Sequence, residues 1–526
     1  MRKKWLWILA AAAVLLLYPM IRVGIAATSL QSATAKLSNI QQLFSQPELE
    51  QTQFETALAA FSADLLTANN SANDPLLTPY KWLPVIGADF DALGKVTSTG
   101  SELVVAAQAL ATDGYALKSQ QEGAGIQPQT INLLRDHFNE FGNASASAQV
   151  TLDSIDPGSL HFGLAEKIDR VQQAIDRVNP AIQEMTPLVN IMSGMLGNSE
   201  PQRWFIATQN LAEARGTGGI IGSYAIVSTS GGKAKLVDSG SDVKLAKLGP
   251  VSSPLMTSDY AAFWGTDPKI WQDLNAGGQV PTAGQIVVDS WKAATGEDLS
   301  GTVFLGQGTM AHLLALTGPV TVQGRTLDWT TAPTYLAKGI YADHSDVSAK
   351  NKFVSDFAKV TFKKLLTAKL DLRGLLASAA KPATGDKPWI YSTNADQQRK
   401  FVELGVAGAI GQNAGSRIWL TLNNAAGNKL EAFQHVTAVY QLGACGTENI
   451  NGLPSRDASL TVKVTNRAPA SGLPPYTSTR LDNAAGPDYI RGSNRELVSV
   501  YAPTGATDTG IFVNGKQEFA HFGMDG

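Results

Sequence analysis

Cysteine is almost absent from this chain: Cys445 stands alone in 526 residues. One thiol excludes an intrachain disulfide framework and any cysteine-cluster metal site, and it reads as inert. Histidine is scarce too. The six, at positions 137, 161, 312, 344, 435 and 521, lie far apart with no H-x-H or H-E-x-x-H spacing, which argues against a zinc enzyme. Charged residues make up 17%, thin beside the usual quarter, and a net charge of −3 offers no basic excess for a phosphate backbone. Nucleic acid is therefore not an expected partner.

What is present is an ordinary apolar share, 44%, in a chain too long for one core, so two to four domains are expected. Arg2, Lys3 and Lys4 precede Trp5–Ile21, 17 residues without a charge. A bilayer core takes about 20 apolar helical residues, with about 17 near the lower limit. The run exceeds a usual signal-peptide core and no clean A-x-A site follows, although Ala26-Ala27 is an alternative cleavage point. The reading is a single-pass signal anchor over 1–27 with its basic tip in the cytoplasm and everything after it extracytoplasmic.

Residues 28–200 carry apolar positions at steps of three and four: Leu37, Ile40, Phe44; then Phe54, Leu58, Phe61, Leu65; then Leu164, Ile168, Val171, Ile175, Val178. These predict an antiparallel helical bundle or stalk, broken near Asn69-Asn70, Pro79, Pro84, Gly123–Gly125 and Asp156-Pro157-Gly158. From 201 to 425 glycine rises and short β-type runs alternate with helical ones, which predicts a central α/β domain. Helices are expected at 282–295, 309–316, 346–366 and 397–410, and strands at 301–305, 320–322 and 417–423. Over 426–526 alternating runs such as Leu460/Val462/Val464 against Thr461/Lys463/Thr465 predict an antiparallel β region, a small sandwich or sheet. The final Asp525-Gly526 is a hairpin dipeptide, so the sequence is expected to be C-terminally incomplete. The whole is an α+β multidomain chain.

The polar stretch of most interest is Arg203–Ser223. The apolar run Trp204–Ala207 reads as a buried strand and Ile220–Val227 as a second. Between them lie Gln209, Asn210, Glu213, Arg215, Gly218 and Gly219, which we take as candidate ligand-binding residues. Glycine allows positive φ and close backbone approach, and successive N–H groups there could hold an anion. The same pattern also fits a tight turn with a structural Glu213–Arg215 pair, since residues two apart share a face on a strand. Trp264, Trp271 and Trp291 fit either a sugar- or lipid-binding groove or, as tryptophans more often do, the core.

QNLAEARGTGGIIGSY at 209–224, VPTAGQIVVDSWKAATG at 280–296, GTVFLGQGTMAHLLALTGPVTV at 301–322 and VKVTNRAPASGLPPY at 462–476 resemble the bacterial domain-of-unknown-function 4012 family of membrane-anchored exported proteins. The order of elements at 282–322 is similar, more distantly, to the LytR-CpsA-Psr phosphotransferases. That likeness implies a sandwich-type α/β domain and transfer of polymers from polyprenyl pyrophosphate with magnesium. It also implies that Arg215 supplies a charge, that Glu213 or Asp238 holds the metal and that Arg325 or Arg373 assists. The arginine-dense segment of those enzymes is here Tyr341–Lys350, without arginine.

Three functions remain open. The first is a cell-envelope protein binding a glycan or lipid-linked intermediate through Gln209–Arg215. The second is a magnesium-dependent phosphotransferase, and the third a protein–protein scaffold.

Overall fold

The computed structural model describes residues 2–45, 51–119, 128–161, 163–197, 200–264, 269–367, 388–410, 418–444, 449–450, 453–454, 456–469, 471–482, 490–503, 506–507 and 510–520. Cys445, Arg373, Gly123–Gly125 and Asp525-Gly526 lie outside them. The chain divides into two compact units, 1–198 with 369–381, and 199–368 with 382–526.

The first unit is a run of helices: α1 (Arg2–Ser45), α2 (Gln51–Ala72), α3 (Gly87–Ser119), α4 (Pro128–Asp153) and α5 (Leu164–Met195). Consecutive helices pack antiparallel, as the cross-links show: Arg22 and Lys36 of α1 meet Asp74 and Asp64, and Gln172 and Asn179 of α5 meet Asp153 and Ser145 of α4. Ile40, Phe54, Leu58 and Leu65 share one core, and Ile168 and Ile175 share another with Ala148 and Leu152. The spacing of three and four puts these side chains on one stripe of each helix, which the neighbouring helix covers. The break expected at Asn69-Asn70 comes at Ala72, because Asn73 Nδ2 bonds Asn69 Oδ1 at 2.7 Å along the same helix face. α1 runs on through Trp5–Ile21, with the side chains of 2–16 outside the description. Among the described residues no helix is long and apolar enough to cross a membrane, so the anchor rests on sequence alone.

The second unit is built on a five-stranded mixed sheet of order β3-β2-β1-β4-β7, from β1 (Gln202–Arg215), β2 (Gly218–Ser230), β3 (Lys233–Ser241), β4 (Gly301–Leu305) and β7 (Trp389–Ser392). β1 is central, antiparallel to β2 and parallel to β4. Its run Trp204–Ala207 is buried on both faces, which an unbroken apolar segment requires. Phe205 and Ala207 face α6 (Val280–Thr295), whose Ile286, Val287 and Trp291 join Trp264 and Trp271 in one core. The three tryptophans are thus packing residues. After β4 come α7 (Gln307–Thr317), the hairpin β5 (Val320–Val322) and β6 (Arg325–Leu327), and the long α8 (Val347–Thr367) packed along β2 and β3. The helix expected over 397–410 stops at Glu403, because residues 404–410 turn back to bury Val406 and Ala407, with Ile390 N–H donating to Val406 O.

The C-terminal strands pair antiparallel but form separate two-stranded sheets among the described residues. β8 (Trp419–Asn424) pairs with β11 (Glu496–Tyr501), and β9 (Gln434–Leu442) with β10 (Ala458–Asn466). The first pair spans the boundary expected at 425. Leu460, Val462 and Val464 stand opposite Tyr440, Ala438 and Val436, so the alternation is kept. No second sheet closes over that face in the described residues: Val436 and Val464 stay 38% exposed and Leu442 42%. A sandwich is therefore not what the described strands make.

Candidate functional site

β1 does not end at Ala207. It continues to Arg215 with a bulge, since Asn210 pairs with Ile220 while Ala214 pairs with Gly219. Asn210 holds the bulge: its Oδ1 accepts from Ala212 N–H at 2.9 Å and from Gln307 Nε2 at 3.0 Å, and its Nδ2 donates to Tyr341 OH at 2.7 Å. Gln209 Nε2 donates to Thr217 Oγ1 at 2.6 Å, which also receives Asn275 Nδ2 at 2.8 Å. Gly218 has φ +142, and a Cβ on Gly219 would lie 2.4 Å from Asn210 O. Both glycines serve the close return of β2 against β1.

Glu213 and Arg215 share a face and are both buried. Arg215 Nη2 meets Glu213 Oε1 at 2.8 Å and Asp273 Oδ1 at 2.5 Å; its Nε donates to Asp273 Oδ1 at 2.6 Å. Nη1 donates to Ala214 O at 2.7 Å and to Asn424 O at 3.3 Å. Lys429 closes the other carboxylate oxygen of Glu213. Burial alone would raise the Glu213 carboxyl, yet Lys429 and Arg215 outweigh it and hold it below the usual range. Every guanidinium nitrogen of Arg215 and both oxygens of Glu213 have internal partners. The Gln209–Gly219 set is drawn together, but into a closed network that ties β1 to β8 and Lys429.

Next to this joint lies a half-buried carboxyl pair, Glu431 and Glu496. Asn494 Nδ2 donates to Glu431 Oε1 at 3.0 Å and to Glu496 Oε1 at 2.6 Å, and Gln434 Nε2 donates to Glu496 at 2.5 Å. Burial pushes Glu431 up to about 8, with Glu496 adding repulsion, and burial raises Glu496 as well.

An open groove lies elsewhere in this unit. A groove of ≈ 300 Å³ is lined by Gln323, Arg325, Tyr335, Asp343, His344 and Phe353. The β5–β6 turn presents Gln323, a non-glycine residue at φ +49, whose Nε2 donates to Asp356 at 3.1 Å. Tyr335 opens a π-helical turn, Tyr335–Gly339, a rare local geometry that recurs at functional sites. The Arg325 guanidinium lies 4.2 Å above the Tyr335 ring and pairs with Asp343 at 2.5 Å. Phe353 packs on both Tyr335 and His344, at 5.5 and 5.7 Å between ring centres. Arg325 and Asp343 are about half exposed, so this set faces solvent where the Arg215 set does not.

Of the positions implied by the phosphotransferase likeness, Arg325 is in the groove. Asp238 pairs instead with Lys244 and accepts from Tyr224 OH at 2.7 Å. Asp273, Lys429, Tyr335 and Asp343 were not singled out by the sequence. Among the described residues no three of His, Cys, Asp or Glu converge as a metal cluster.

No curated protein and no solved structure matches the chain, so the phosphotransferase likeness has no counterpart among them. Residues 199–341, from the first core strand to Tyr341, match the family described as "Protein of unknown function (DUF4012)", and the chain carries a domain of that family.

Proposed function

We propose that this is an exported cell-envelope protein, tethered through Trp5–Ile21, that binds a neutral glycan without catalysis in the Arg325–Tyr335–Asp343 groove. The groove's composition carries the reading. A guanidinium neutralised by a carboxylate attracts neither cations nor anions strongly, but the pair offers both donors and acceptors to hydroxyl groups. Gln323 and His344 add further polar groups, and Tyr335 with Phe353 adds apolar area for a sugar ring's C–H face. A volume of ≈ 300 Å³ suits one or two sugar units, at the small end of ligand pockets. Tyr18 and Arg22, both bonded to Asp74, suit the point where a helix leaves the bilayer.

The test is titration of full-length protein in detergent with neutral envelope oligosaccharides, followed by calorimetry. Saturable binding that weakens at least about tenfold in Arg325→Ala is expected, the loss of a ligand hydrogen bond to a charged group. Equal binding by the variant would move the site elsewhere. Magnesium-dependent transfer of a lipid-linked polymer would replace the non-catalytic reading with a phosphotransferase.

A further inference from the structure

We propose that the segment Pro75–Val85 is a membrane-interface loop, whose Leu76, Trp82, Leu83 and Val85 lie among phospholipid headgroups beside the point where α1 leaves the bilayer. The inference rests on the tether of the proposed function and not on the glycan groove. Between Asp74 and Asp89 the only charge is Lys81, whose ammonium is drawn aside to Asp91 at 3.6 Å. The loop is firmly seated: Leu77 is buried, Tyr80 stacks on Phe90 at 6.0 Å, and Leu83 O accepts from Gly87 N–H at 3.0 Å. A Cβ on Gly87 would lie 2.3 Å from Lys81 O, so the turn closes tightly there. On that base the large apolar side chains point outward. Trp82 is 86% exposed and Val85 70%, with Leu76 and Leu83 exposed as well. Val85 also has φ +77, a strained conformation for a β-branched residue and of the kind that clusters at ligand-binding segments.

Asp74 fixes where this loop stands along α1. Its Oδ1 accepts from Leu76 N–H at 2.9 Å at the head of the 3₁₀ helix Pro75–Trp82, while Oδ2 accepts from Tyr18 OH at 2.6 Å and pairs with Arg22 at 2.9 Å. Tyr18 and Arg22 bracket the end of the uncharged run Trp5–Ile21, so the head of the loop is level with the helix exit. A 3₁₀ helix rises about 2 Å per residue, which keeps Trp82 within about 16 Å of that point. α1 itself presents Leu17, Met20 and Ile21, spaced three and four apart, as an exposed apolar stripe. A tryptophan ring, apolar with a single N–H, is at home at the headgroup level. A protein interface is ordinarily rimmed by polar side chains, whereas this face continues along α1 into a run without a charge.

Full-length protein is reconstituted into phosphatidylcholine vesicles brominated at shallow or at deep acyl positions, and tryptophan emission is read. The difference between wild type and Trp82→Phe isolates Trp82, and the difference from a Trp5→Phe/Trp7→Phe variant isolates the anchor. The Trp82 share is expected to lose at least about half its emission to shallow bromines and less to deep ones, as insertion by about 5–10 Å requires. Trp82 lies outside the core, so Trp82→Phe should keep the wild-type melting temperature. Quenching of the anchor share without the Trp82 share would overturn the loop and keep the tether. Quenching of the Trp82 share alone would support the loop and remove the tether, and quenching of neither would overturn both. A dimer in detergent that Trp82→Asp converts to monomer would also overturn the proposal, in favour of a second copy covering the patch.

Discussion

Arg215 and Lys350 belong to the same unit and are 8 and 9% exposed, yet one is ringed by acceptors and the other has none among the described residues. Arg215 is held by Glu213, Asp273 and two backbone carbonyls; the Lys350 ammonium has the Tyr341 ring, 5.9 Å away, as its polar-group neighbour among the described residues. A charge whose bonds are all internal holds structure together. The groove at Arg325 stands between these extremes, paired but open to water.

The comparison breaks most visibly at Arg215. Arg215→Met removes the buried guanidinium that Asp273 and Glu213 share, and should lower unfolding free energy by about 3–5 kcal/mol in chemical denaturation. A loss under about 1 kcal/mol would mean the network is not the joint described.

Lys350→Met should act in the opposite direction. The folded protein holds Lys350 at about 8 against an ordinary 10.5, so burial of the charged amine destabilises the fold at pH 7. At 1.36 kcal/mol per unit the gain on removal is on the order of 3 kcal/mol. Between about 8 and 10.5 the unfolded chain holds a proton that the folded one has released, so wild-type stability rises with pH there and the variant's does not.

Glu431 and Glu496 give the reverse slope. Their carboxyls are raised in the fold, so the folded state holds more protons and stability falls as pH rises from the usual carboxylate range towards about 8. Glu496→Gln should flatten that fall in thermal melts between pH 5 and 8. An unchanged slope would show that the two carboxyls do not interact.

The smallest stability effect belongs to Arg325→Ala, at most about 1 kcal/mol for a half-exposed pair. If it destabilises as much as Arg215→Met, the groove is structural and the contrast disappears.

Much of the architecture was legible because it is written in periodicity. The helical steps at Ile168 and Ile175, the unbroken Trp204–Ala207 run and the Leu460/Val462/Val464 alternation each name a face that must be covered. Between the sandwich and the sheet expected there, the described strands show the sheet pairing, because alternation specifies a face and not its cover. Glu213 and Arg215 were found for a local reason, two residues apart on a strand. Their partners Asp273 and Lys429 were not, because contacts 58 and 216 positions away leave no local mark. Lys350 did leave one. It lies on the same stripe of α8 as Phe353 and Phe357, and a lysine on an apolar stripe is a signal that counting hydrophobic steps passes over.

The parallel pairing of β1 with β4 also governs how the molecule comes into being. Arg203 N–H meets Ser300 Oγ across 97 positions, and β4 supplies the neighbour that β1 needs on its second edge. Much of the helical unit closes between neighbouring helices, as Arg22–Asp74 and Gln172–Asp153 do, although His161 N–H reaches Asp89 across 72 positions. The sheet must wait: Trp204, Phe205 and Ile206 remain half-covered until the chain has grown past Leu305, and closing so long a loop is slow. During synthesis this apolar strand thus waits for β4 before its second edge is covered, which makes that interval a point at which helper proteins would matter.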